Sequence, residues 1–234
     1  MTRVPGMSAA PASTASGPLL SRSEIEALCA KAARGAGMAW GLAEEAGFAA
    51  GWLSMRGVDG PGALADHLGW AEGLPWQEIC PEVAAGIWKA RDSGTLCPVA
   101  LGATLCDFAT LPQGALDGDG LVVGPVSRPV ILLPFLAAMA QRLEYAVEAR
   151  WPGGRIAVAP SGDMAGEVAE LAALDRAQLT LCRAADTPPP MSRRGRVGCS
   201  QDTVDRLNAL ALKTTVPPSE ISRDDAGAGT SDND

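Results

Sequence analysis

The 234-residue chain carries 27 acidic against 19 basic side chains, a single histidine and a formal charge of −8 at pH 7. That length allows one substantial hydrophobic core, and the acidic balance argues against nucleic acid, which calls for a clustered basic footprint. The longest apolar run, Val130 to Ala140, is interrupted by Pro134 and is far shorter than the roughly 20 residues a membrane helix needs, so no membrane partner is expected.

Residues 1–18 are rich in Ala, Ser, Pro and Gly, with Arg3 the one charged side chain. Such a segment buries too little surface to offset its ordering entropy and is expected to be disordered. It lacks the apolar stretch of a secretory signal, so the expected location is the cytoplasm. The six cysteines (Cys29, Cys80, Cys97, Cys106, Cys182, Cys199) show no Cys-x-x-Cys spacing. In that compartment they read as reduced thiols, several of them buried.

The first half reads as helical. Ser21 and Glu24 form a capping box, and Ile25, Leu28, Cys29, Ala32, Ala33 and Ala36 recur at helical spacing until Gly35 and Gly37 stop the helix. A second helix is predicted from Trp40 to Met55. Pro61 suits the first turn of a third, through Trp70, and Pro81 that of a fourth, ending near Gly94. Pro98 to Ala109 is a candidate fifth helix, with Leu101, Leu105 and Phe108 inward.

After Leu111 the pattern changes. Gly114 to Gly120 reads as a loop, Leu121 to Val123 as a strand, and Pro134 can start a helix to about Tyr145. Ala146 to Trp151 and Arg155 to Ala159 flank Pro152-Gly153-Gly154 as a β-hairpin, and Gln178 to Arg183 is another strand. The predicted class is α+β: a helical N-terminal half, then a small mixed part with a β-hairpin and a C-terminal helix. The expected segments are a disordered 1–18, a globule over 19–187, a Pro/Arg connector over 188–199, a helix over 200–216 capped by Ser200, and a Gly/Asp-rich tail over 217–234.

Candidate chemistry is sparse. His67 could act as an acid/base with Asp59 or Asp66 nearby; the bland reading is an ordinary helical histidine. One histidine with scattered cysteines leaves no expected metal site, and no cofactor is expected. Glu44 and Glu45 point about 100° apart on a helix and cannot share a substrate, although partial desolvation beside Phe48 would raise the Glu45 pKa. Gly118-Asp119-Gly120 with Gly124 precedes a strand rather than a helix, so it does not fit a dinucleotide loop. The cluster Arg193, Arg194 and Arg196 reads as a solvated connector, with an anionic partner as the sharper alternative. The six tryptophans read mainly as core, with an indole wall around a small ligand or an interface patch as the alternatives.

Two resemblances add to this. Lys31-Ala32-Ala33-Arg34-Gly35-Ala36-Gly37, Trp40 to Gly47, Leu132 to Leu136, and the ending Val216 to Arg223, Ala226 to Gly229 and Ser231 to Asp234 resemble an uncharacterised bacterial domain-of-unknown-function family. No activity follows from that likeness. The turn Arg56-Gly57-Val58-Asp59-Gly60-Pro61-Gly62, with the helical region before it, resembles the N-terminus of the malate/L-lactate dehydrogenases that are unrelated to Rossmann enzymes. There the turn reads Arg-Gly-Val/His-Asp-Ser-His-Gly and its histidine is the catalytic acid/base. Here Gly60 and Pro61 stand in those places, and proline transfers no proton.

The expected function is therefore that of a soluble binding or accessory protein of a metabolic system, with a protein partner, and the sequence leaves the oligomeric state open. A docking segment would involve Ser219, Glu220, Ser222, Arg223, Gly227 and Gly229. The alternative is a small-molecule metabolic enzyme, a reduced dehydrogenase relative whose candidate residues are His67, Asp59, Arg56 and Glu45.

Overall fold

The computed structural model describes residues 17–116 and 118–214. The chain starts with a short strand, β1 (Leu19–Ser21), and then runs through three helices, α1 (Arg22–Gly35), α2 (Trp40–Ser54) and α3 (Gly60–Ala71). The capping box starts α1: the Ser21 hydroxyl accepts from the Glu24 amide at 3.4 Å, and the Glu24 carboxylate accepts from the Ser21 amide at 2.7 Å. Helix α2 lies close against α1, because Gly47 leaves room where a Cβ would stand 2.5 Å from the Glu26 carbonyl.

A single turn, α4 (Trp76–Ile79), leads to strands β2 (Pro81–Glu82) and β3 (Ile87–Ala90). The helix expected from Pro81 to Gly94 is thus replaced by an antiparallel strand pair. Burial shows the reason: Ile87 and Lys89 are exposed while Trp88 and Ala90 are buried, a period of two. Helix α5 (Pro98–Phe108) follows, with Leu101 and Leu105 fully buried.

Strand β4 (Leu121–Ser127) is longer than the three residues expected, and Pro129–Leu132 forms a 3-10 turn into α6 (Leu133–Leu143). The hairpin is as predicted, with β5 (Val147–Trp151) antiparallel to β6 (Gly154–Val158). Next come β7 (Met164–Gly166), α7 (Val168–Ala173), β8 (Arg176–Arg183), β9 (Arg196–Gly198) and α8 (Gln201–Leu212). Seven strands form one sheet in the order β2-β3-β4-β8-β5-β6-β7, with only the β3/β4 pair parallel.

Helices and sheet share one core, from Ile25 and Leu53 to Leu121, Leu136 and Ile156. Helix α6 joins the layers, packing on α2 and α5 as well as on β5 and β6. The C-terminal elements return to the start: β9 pairs with β1, and α8 lies on α1 and α3. This is an α+β fold, helical first and mixed afterwards. All six cysteines are free, four of them buried. No helix among the described residues is long and apolar enough to cross a membrane. Of the segment 1–18 expected to be disordered, only Gly17 and Pro18 are described, and the Pro18 carbonyl accepts from the Cys199 amide at 3.1 Å; residues 1–16 and the six candidate docking residues of the tail lie outside the described residues.

Candidate functional site

The Arg56–Gly62 turn is built for packing. The Asp59 carboxylate caps α3, accepting from the Gly62 amide at 2.9 Å, and Pro61 occupies the first turn. A Cβ on Gly60 would lie 2.2 Å from the Ala50 carbonyl of α2. Gly60 thus lets α3 approach α2. Arg56 lies flat on the Trp52 ring at 3.4 Å from its centroid, and donates to the carbonyls of Gly162 at 2.8 Å and Trp52 at 3.2 Å. Burial first, then Arg193, pulls its guanidinium down to about 10.

His67, two turns into α3, is wholly buried. Its Nδ1 lies 3.1 Å from the Ser127 hydroxyl at the end of β4, and its Nε2 lies 3.2 Å from the Cys97 sulfur at the N-cap of α5. Burial holds the imidazole down to about 3 and pushes the Cys97 thiol up to about 12. At neutral pH all three groups are therefore uncharged. A neutral imidazole has one donor and one acceptor nitrogen, which the hydroxyl and thiol satisfy. Neither Asp59 nor Glu45 is a hydrogen-bond partner of His67, so the structure does not bring the four sequence candidates together at one centre. Glu45 is exposed on α2; partial burial of its carboxyl, with Asp107 and Glu44 nearby, raises its pKa.

Beside this cluster lies an ion-pair network that sequence reading did not find. Arg128 Nη2 stands 3.1 Å from Asp66 and 2.8 Å from Asp175, while Arg206 Nη2 reaches Asp66 at 2.7 Å. It ties α3 to α8 and to one end of the antiparallel β4/β8 pair, where Arg128 follows β4 and Asp175 precedes β8. Arg128 adopts φ 41°, ψ 63°, a left-handed conformation uncommon for a residue with a side chain. Two recesses flank the network. One, of about 230 Å³, is lined by Asp66, Trp70, Thr95, Ser127, Arg128 and Asp175. The other, of about 270 Å³, holds Asp59, Asp66, Arg128, Thr203 and Arg206.

Ser127 edges the first recess and could be deprotonated by His67. Yet the Ser127 and Arg128 amides donate to the carbonyls of Leu96 at 3.0 Å and Asp175 at 2.8 Å. Neither is free to stabilise an oxyanion. No group of His, Cys, Asp and Glu among the described residues is arranged to hold a metal.

A different surface feature stands out. Lys31, Arg34, Trp40, Glu44, Asn208 and Leu212 line a groove of about 690 Å³ between α1, α2 and α8. Trp40 and Leu212 are 67% and 68% exposed there, although most apolar side chains of their size in this fold are buried. The Trp40 indole is positioned by the Glu44 carboxylate at 2.8 Å and by the Arg34 guanidinium at 5.6 Å from its ring centre.

Compared with known proteins, residues 20–94 match a family described as Protein of unknown function (DUF3726). No curated protein and no solved structure matches the chain. The matched segment carries α1 to α3, and with them Arg56, Asp59, His67 and one side of the groove. The dehydrogenase resemblance gains no support, whereas the likeness to an uncharacterised domain family is supported over residues 20–94.

Proposed function

We propose that this is a soluble cytoplasmic binding or accessory protein of metabolism that engages a protein partner through the α1/α2/α8 groove rather than by catalysing a reaction. The observation that carries this reading is the groove itself. Its volume of about 690 Å³ exceeds the 230 and 270 Å³ of the two polar recesses, and it presents two large apolar side chains to solvent. A partner segment with an apolar face suits Trp40 and Leu212, and an acidic residue on it suits Lys31 at the rim. The uncharged, sealed state of His67 and Cys97 fits the same reading, because neither is available to solvent as a base or nucleophile. The test is cross-linked capture from cells with the native chain, Trp40→Asp and Leu212→Asp. One partner captured by the native chain should be lost from both folded variants; retention by both would contradict the reading.

A metabolic enzyme is the second reading, favoured by one contact. The Ser127 hydroxyl, 3.1 Å from His67 Nδ1, edges a polar recess. On that reading Ser127→Ala and His67→Gln would each abolish turnover of a small metabolite by purified protein, with folding retained.

A further inference from the structure

A recess of about 200 Å³ on another face gathers Arg22, Arg56 and Arg193 against Phe48, Trp52 and Pro134. Its cations come from three separate parts of the chain: the first residue of α1, the turn after α2, and the segment following Pro188-Pro189-Pro190. No carboxylate lines it. Arg56 makes hydrogen bonds only to carbonyl oxygens, and Arg193 donates to the Ser161 carbonyl at 2.8 Å; neither forms an ion pair among the described residues. Arg22 is partly neutralised by Glu26 at 2.6 Å. A further anion, Asp163, interacts with Arg56 and Arg193 and is also held by the Ser161 hydroxyl at 2.6 Å and the Met191 amide at 3.1 Å.

Gathering like charges in a half-buried recess is unfavourable unless an anion joins them; burial, Arg193 and Arg22 disfavour the Arg56 charge, and Asp163 offsets them only in part. Among the described residues, most guanidinium N–H groups here have no protein acceptor. Arg56 uses two of its five and Arg193 one of its five. The rest of the wall combines apolar groups, Phe48 on α2 and Pro134, Ala137 and Ala138 on α6, with the polar Gln141 and Ser161.

We infer that this recess binds a small organic anion, its oxygen head on Arg56, Arg193 and Arg22 and its compact apolar body on Phe48 and Pro134. The fork of a guanidinium suits both carboxylate and phosphate. With Arg22 paired to Glu26 and Asp163 close by, the surplus charge matches a singly charged carboxylate better than a phosphate.

Two-dimensional NMR of the full chain tests this, following the Trp52 indole and Gly162 amide during titration with benzoate and butyrate, with neutral benzamide and inorganic phosphate as comparisons. Saturable millimolar or tighter binding of a carboxylate is expected, with benzamide silent and phosphate weaker. Arg193→Gln and Arg22→Gln should each weaken binding at least tenfold while leaving the ligand-free unfolding temperature within about 3 °C. The inference is overturned if neither carboxylate shifts these signals, if benzamide or phosphate binds as well, or if both variants bind as the native chain does.

Discussion

His67 and Ser127, 60 residues apart in the chain, meet at 3.1 Å in a space closed to solvent. The contact joins α3 to the end of β4, and Cys97 completes it from a third element. Three neutral polar groups satisfy one another in the core, which specifies the packing without placing a charge there.

That arrangement sets a pH dependence. The folded His67 value of about 3 lies below its ordinary 6.5, so between those limits the unfolded chain binds the extra proton. Stability should be unaffected by this group above pH about 6.5 and should fall as the pH drops below it, by up to about 1.4 kcal/mol per unit. His67→Gln should flatten that slope and cost about 1–3 kcal/mol at pH 7. Urea unfolding across pH 4 to 8 (roughly the range in which histidines titrate) measures both; an unchanged slope would show that His67 does not carry it.

Arg128 offers a separable test of backbone strain. Its φ of 41° suits glycine. Arg128→Ala and Arg128→Gly both remove the ion pairs to Asp66 and Asp175. Arg128→Gly should therefore be the more stable of the two by about 1 kcal/mol. Equal melting temperatures would contradict the left-handed assignment.

Helix α3 contains an internal comparison. A Cβ at Gly60 meets the Ala50 carbonyl at 2.2 Å, whereas one at Gly69 meets nothing within 4 Å. Gly60→Ala should cost about 1–3 kcal/mol by forcing α3 away from α2, and Gly69→Ala should stabilise by about 0.5–1 kcal/mol through helix propensity. Thermal unfolding of the pair reads both signs.

Local signals carried much of the fold. The Ser21/Glu24 box, the prolines at the starts of α3, α5 and α6, and the glycine hairpin each depend on neighbours within a few residues, and each stands where the sequence placed it. Pro81 misled because a proline opens strands and helices alike, and only the alternating burial of Ile87 to Ala90 separates them. The site was less legible. Asp59 and Arg56 were singled out for chemistry, yet they cap a helix and cover an indole. The partners of His67 and Asp66, which are Ser127, Cys97, Arg128 and Arg206, come from distant elements with no local motif. A tryptophan surplus hinted at an interface, but only the fold shows that Trp40 faces solvent while Trp88 is sealed.

On the proposed reading, the groove between α1, α2 and α8 is where this protein meets its partner. Its most direct test places a photo-cross-linking residue at position 40 or 212 in the full chain within cells, with the same residue at exposed Leu111 as the control. One protein should be cross-linked from both groove positions and not from 111. Cross-linking that is absent from the groove, or no greater there than at 111, would contradict it.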